Sequence, residues 1–204
     1  MAAGRANGNR VRRALAVAAL LLAALLVGVV TAVLGVRAQF AAGGVKSGAW
    51  ASNANIGSSG AGAYLRAGVA LGGLLALNAT ETVYYTATTD DAGKPLSTAC
   101  EYRLEGSDPR TRWWSITAYA DDSFLIRGSN GRYSVDKTAV EHGADGTFVV
   151  RVGGAARAGN WISTGPADGA KPFSLTLRLY NPDGSVVSDL GGVTLPRIVQ
   201  ERCS

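Results

Sequence analysis

Along the chain, hydrophobic and polar positions fall into three successive patterns. Residues 14–36 carry no charge, and Gly28 and Gly35 are the only helix breakers among them. At about 1.5 Å per residue such a run crosses the roughly 30 Å hydrocarbon core of a bilayer, so the first pattern predicts a transmembrane helix. The second places Tyr64, Leu65, Val69, Leu71, Leu74, Leu75 and Leu77 at helical spacing, interrupted by Arg66 and Gly72-Gly73. It is too short to span a bilayer and reads, over 61–80, as a helix packed on a domain.

From Glu81 the period drops to two, with turn residues between short runs. Thr82 to Thr89 alternates aromatics with threonines. Cys100, Tyr102 and Leu104 share a face opposite Glu101, Arg103 and Glu105. Trp114, Ile116 and Ala118 oppose Trp113, Ser115, Thr117 and Tyr119. Ser123 to Arg127 and Arg132 to Asp136 flank a turn at Ser129-Asn130-Gly131, and Phe148, Val150 and Val152 face inward on a further strand. Phe173, Leu175, Leu177 and Leu179 alternate with Ser174, Thr176, Arg178 and Tyr180 up to the turn Asn181-Pro182-Asp183-Gly184. Residues 195–200 close the domain, Pro196 marking an edge. The expected fold is mainly β: an antiparallel, jelly-roll-like β-sandwich over 81–204, preceded by one transmembrane helix and one short packed helix.

Charge adds a topology. The formal net charge is +5, and Arg5, Arg10, Arg12, Arg13 and Arg37, which flank the apolar run, account for it; every Asp and Glu lies beyond residue 80. Basic residues ahead of the span place the tail 1–13 in the cytoplasm and the β domain outside it. A cleaved signal is the competing reading, because Val36-Arg37-Ala38 loosely fits a cleavage site, but a signal core is usually only about 7 to 15 residues. The run favours an uncleaved signal-anchor. With the flanking arginines set aside, the rest of the chain is neutral and offers no basic face, so nucleic acid is not a partner. The lipid bilayer, through 14–36, is one.

Residues 37–60 are rich in Gly, Ala, Ser and Asn and read as a tether, within which Trp50 either sits at the membrane interface or, the favoured reading, docks on the domain. The Ala, Gly and Arg content points to a bacterium, which would leave the Asn78-Ala79-Thr80 sequon bare. The location expected is a bacterial inner membrane, single-pass, with the β domain periplasmic or otherwise extracytoplasmic.

Several strings in fixed order carry a resemblance: Asp91-Ala92-Gly93-Lys94-Pro95-Leu96, Arg112-Trp113-Trp114-Ser115-Ile116-Thr117-Ala118-Tyr119, Arg132-Tyr133-Ser134, Asp145-Gly146, Gly159-Asn160-Trp161 and Leu175-Thr176-Leu177-Arg178-Leu179-Tyr180-Asn181-Pro182. The region from Tyr84 onward resembles the bacterial domain-of-unknown-function family 1214. The resemblance implies a β-sandwich and brings no reaction and no catalytic residues. In larger relatives this domain follows another of unknown function, family 1254, in whose place this chain has the apolar run and helix.

Candidate chemistry is sparse. His142 is the sole histidine, in a polar turn, and no nucleophile-elbow string surrounds any serine. One histidine and two distant cysteines do not make a zinc site. The Asp90-Asp91 and Asp121-Asp122 pairs read as turn residues rather than calcium ligands. No glycine-rich phosphate loop opens a helix, so no cofactor is expected. Two functions of different class stand. A module binding a glycan, lipid or protein would use outward aromatics and polar groups, with Trp113, Tyr119, Arg132, Asn160, Trp161, Arg178 and Tyr180 as candidates. A hydrolase or related enzyme would line a cleft with Arg132, Asn160 and Arg178. The alternative for the outward faces is that the tether, the 61–77 helix or the Asn160-Trp161 loop covers them as a second small core. Cys100 and Cys203 form an even pair that an oxidising compartment would join, pinning the C-terminus across the sandwich.

A reporter enzyme active only outside the cytoplasm, fused after Ser204, should be active and remain in the membrane fraction. A soluble product beginning at Gln39 would establish the cleaved signal instead.

Overall fold

The computed structural model describes residues 3–41, 44–126, 131–165 and 169–203. The first element, α1 (Ala3–Ala41), extends the apolar run at both ends. Its stretch Arg10–Ala38 is long and apolar enough to cross a membrane, and none of it is buried against the rest of the protein.

Two sheets follow. β1 (Val45–Ser47), β2 (Trp50–Ser52), β3 (Thr82–Ala87), β5 (Thr111–Ala120), β6 (Ser134–Asp136) and β9 (Phe173–Pro182) form one in the order β1-β2-β3-β9-β5-β6. β4 (Cys100–Ser107), β7 (Thr147–Gly153), β8 (Trp161–Ser163) and β10 (Arg197–Cys203) form the other in the order β10-β4-β7-β8. Two short helices, α2 (Ala63–Leu71) and α3 (Gly184–Ser188), complete the elements.

The alternating runs decide which face of each sheet turns inward. Leu175, Leu177 and Leu179 of β9, Trp114, Ile116 and Ala118 of β5, Leu104 of β4, Val150 of β7 and Ile198 of β10 are all fully buried in one continuous core. Aromatic contacts join the layers: Trp114 stacks on Phe148 at 4.9 Å, and Tyr102 meets Phe173 edge-on at 5.8 Å. Each pair contributes about 0.5 to 1.5 kcal/mol beyond the area it buries. Tyr85, fully buried in the same core, donates its hydroxyl to the Leu190 carbonyl at 2.9 Å. Burial pushes that hydroxyl's pKa up, and nearby Asp189 adds to the effect.

Several expectations need correction. Residues 37–60 are not a plain tether, because β1 and β2 make a hairpin that extends the large sheet, β2 joining β3 at Ala51 and Thr86. Trp50 supplies the reason. Its ring is 1% exposed and its indole N–H donates to the Pro196 carbonyl at 2.7 Å, while Asp91 accepts from the Ala49 amide at 3.2 Å. One buried tryptophan outweighs the weak strand propensity of its Gly, Ala and Ser neighbours. The second helix stops at Leu71, where the Gly72-Gly73 pair ends it, so residues 74–80 are not helical. Within 123–127, Leu125 forms only an isolated bridge to Tyr119; Arg127 and the Ser129-Asn130 part of the expected turn lie outside the described residues. Asn160-Trp161 is not simply a loop, since Trp161 opens β8, and β8 runs parallel to β7, making the small sheet mixed rather than purely antiparallel. Pro196 precedes β10, which is an edge strand as its sequence suggests.

Cys100 and Cys203 are disulfide-bonded. They stand opposite each other in the β4–β10 register, so the bond staples an edge strand to its neighbour within one sheet rather than crossing the sandwich. It closes a sequence separation of 103 residues, worth up to about 4 kcal/mol in the chain-entropy account. Replacing both cysteines by serine should lower the denaturant midpoint substantially and free the C-terminal strand for amide exchange first. Equal stability with and without reductant would show that β10 is held by its ladder alone.

Candidate functional site

The outward faces of the two sheets are chemically opposite. On the small sheet Arg103 pairs with Glu105 and Glu201, Arg151 with Glu201, and Arg157 and Arg202 with Glu101. Hydrogen bonds from Arg202, and then from Arg157, hold the Glu101 carboxyl below its ordinary pKa. A shift between Gln200 and Arg202 in the β4–β10 register accompanies the pairing of Glu201 with Arg103 and Arg151. This face is charged, self-paired and solvated.

The large sheet carries a different row. Register sets Tyr84 of β3, Arg178 of β9 and Ser115 of β5 side by side, with Thr86, Thr176 and Thr117 in the next row. Ser115, Thr117 and Thr176 are buried although they point away from the core, so this face is covered. Over Tyr84, Thr86 and Thr176 the cover comes from α2, the segment 72–77 and the loop after β2. Tyr84 fastens it: its hydroxyl donates to the Leu75 carbonyl at 2.7 Å and accepts from the Leu77 amide at 3.1 Å. Gly57 fastens it a second time. Its φ of +75° and the Leu77 carbonyl, which a Cβ there would meet at 1.9 Å, leave room for glycine alone.

Between sheet and cover lies a cavity of about 270 Å³. Its outer wall is apolar, made by Ile56, Val69, Leu74 and the backbone of Gly68, Gly72 and Gly73, while Tyr84, Thr86, Thr176, Tyr119 and Arg178 form the floor. Arg178 is half-buried there. One of its N–H groups donates to the Tyr119 hydroxyl at 2.8 Å, and its guanidinium carbon lies 5.3 Å from the Tyr119 ring centre. Among the described residues no carboxylate pairs with it, and its remaining donors have no protein acceptor. A guanidinium offers five N–H donors in a planar fork suited to carboxylate or phosphate.

Of the residues that the sequence singles out, the structure brings Tyr119 and Arg178 together in this cavity. Trp113 and Tyr180 share the face but lie outside the cavity lining; their rings meet at 5.2 Å, and the Trp113 indole donates to the Thr138 hydroxyl at 2.9 Å. Arg132 and Asn160 belong to another region. Arg132 donates to the Gly159 carbonyl, and Asn160 bridges backbone by donating to the Glu141 and Val149 carbonyls and accepting from the Glu141 amide. Trp161 is 1% exposed, with its indole N–H on the Gly153 carbonyl at 3.2 Å. The expected cleft lined jointly by Arg132, Asn160 and Arg178 is therefore not formed. Sequence reasoning missed Tyr84, Thr86, Ile56, Val69 and Leu74; the Thr82-Tyr84-Thr86 alternation carried the signal for the first two.

His142 sits in a structural cluster. Asp108 accepts from the Trp114 indole at 3.0 Å, lies 3.1 Å from the His142 ring nitrogen and 3.8 Å from the Lys137 ammonium. Among the described residues no serine or cysteine is hydrogen-bonded to His142.

Fold and cavity together define a two-sheet β-sandwich with an N-terminal apolar helix and a roofed outer face. The chain belongs to the family described as "Protein of unknown function (DUF1214)", whose model matches residues 81–184. Its fold is similar to that of the VPA0106 protein from Vibrio parahaemolyticus, with a TM-score of 0.57 and 22% identity over 68% of this chain and 35% of that one. A putative uncharacterized protein from Burkholderia cenocepacia matches at a TM-score of 0.40 and 21% identity, over 60% of this chain and 29% of that one. The chain thus spans about a third of the length of these solved relatives. No curated protein matches it.

Two tryptophans test the placement of the candidate residues. Trp161→Ala should cost about 3 to 5 kcal/mol, as a fully buried aromatic does, and Trp113→Ala about 1 to 2 kcal/mol, as a half-buried paired ring does. Equal losses in chemical denaturation would contradict this division.

Proposed function

We propose that this protein is a membrane-anchored envelope module that binds a single-chain anionic amphiphile, the charged head on Arg178 and the alkyl chain along the wall of Ile56, Val69 and Leu74. The observation that carries the reading is Arg178 itself: half-buried, without a carboxylate partner among the described residues, and facing an apolar wall across a cavity. One N–H of this guanidinium is used by Tyr119 and the others are open to the cavity, where an anion would complete the fork. A cavity of about 270 Å³ is at the small end of ligand sites and suits one chain rather than two. A lipid-like ligand is favoured over a sugar because the cavity wall is aliphatic and the paired rings of Trp113 and Tyr180 lie outside its lining. The disulfide supports an extracytoplasmic domain, and the arginines ahead of the apolar run support a cytoplasmic N-terminus in a bacterial inner membrane.

Full-length protein in non-ionic detergent, titrated with a fluorescent fatty acid, tests the reading. Arg178→Ala should weaken binding by about 10- to 100-fold, the worth of a charge-assisted hydrogen bond. The uncharged alcohol of the same chain should bind wild type about as weakly. Unchanged affinity in Arg178→Ala, or equal affinity for acid and alcohol, would overturn it.

A further inference from the structure

The roof of the cavity is also an exposed apolar surface. Leu71 is 78% exposed, Leu75 85%, Tyr64 48% and Leu77 37%, all within α2 and the segment after it. Isolated exposed leucines need no explanation, but these belong to, or directly follow, a helix whose Tyr64 meets α1 near the outer end of its apolar run. A Cβ on Gly35 would meet the Tyr64 ring at 3.0 Å, so the two helices are in van der Waals contact at that level. Charge on the same stretch has one sign: between residues 37 and 80 the charged residues are Arg37, Lys46 and Arg66, with no acid among them.

We infer that α2 and residues 72–77 form a docking surface for an anionic bilayer, lying in the headgroup region of the leaflet from which α1 emerges. The inference rests on α1 being a membrane anchor, and it extends the proposed function by placing the cavity roof at the level of the lipids. Three observations favour a bilayer as occupant. Tyr64 of α2 packs on the spanning helix at Gly35, and Leu71 and Leu75 stand exposed at and just beyond the end of the same short helix. Leucines beside a tyrosine make the kind of face that inserts about 5 to 10 Å at an interface. The neighbouring arginines and lysine complement anionic lipid headgroups. Gly72-Gly73, which ends α2, lines the cavity on one side and precedes Leu75 on the other, so a surface bedded in lipid sets the cavity within reach of a lipid-derived amphiphile.

The test uses the full chain in nanodiscs of mixed phosphatidylglycerol and phosphatidylethanolamine, with phosphatidylcholine nanodiscs as comparison. Because both native cysteines are in the disulfide, Leu71→Cys, Leu75→Cys and Val149→Cys can each carry one environment-sensitive fluorophore. Val149, 41% exposed on the outward face of the small sheet, is the control. Labels at 71 and 75 should be quenched several-fold more than the label at 149 by headgroup-proximal nitroxide lipids, and more in anionic than in zwitterionic discs. Quenching at 71 and 75 no greater than at 149 would overturn the docking surface. Fatty-acid binding measured on the same discs separates the two readings: binding lost in Arg178→Ala but no quenching difference sinks only the docking surface, while quenching without amphiphile binding sinks only the ligand reading. Protein that does not co-elute with the discs would remove the anchor, and with it the inference.

Discussion

The structure depends on β9, the strand between β3 and β5 in the large sheet, and on the two-faced demand that position makes. A strand with neighbours on both sides satisfies its backbone laterally, so its side chains alone must settle where each face goes. Leu175, Leu177 and Leu179 commit one face to the core shared with the small sheet. Thr176 and Arg178 are thereby forced to the other, where the polar floor of the cavity forms. The cover over that floor comes from the chain ahead of the sandwich, tied down by Tyr84, by the approach at Gly57 and by Trp50 in its slot against Pro196. Removing the core commitment of β9 would remove the site, because that commitment, with the Tyr119 hydroxyl, is what sets Arg178 on the cavity floor.

The contrast between the two outward faces is what supports the proposed site, where no motif does. On the small sheet each guanidinium meets a carboxylate, and such exposed pairs contribute at most about 1 kcal/mol each while keeping the surface soluble. On the large sheet a guanidinium is desolvated in part and given only a tyrosine hydroxyl.

Much of the architecture was legible because alternation over long strands leaves little choice: the inward trio Trp114, Ile116 and Ala118 could face only one way. The three-residue strands β1, β2 and β8 were not legible. Runs so short carry little period, and β2 is fixed by a distant contact, the Trp50 indole on the Pro196 carbonyl, while β8 is fixed by its parallel ladder to β7. The cysteine pairing could be inferred from the even count, but its place within one sheet depends on the register of β10, which no local pattern reveals. Tyr119 and Arg178 were readable as outward residues. The cavity walls were not, since Ile56, Val69 and Leu74 come from segments positioned by tertiary packing. Arg132 and Asn160 misled because polar loop residues look available, whereas here both are engaged with backbone carbonyls.

Native mass spectrometry of the full chain, extracted gently from the cells that make it, addresses the central claim most directly. The account expects wild-type protein to carry a co-purifying single-chain acid or phosphate monoester, released on denaturation and absent from folded Arg178→Ala. Wild-type protein and Arg178→Ala that carry the same adducts, or none, would contradict it.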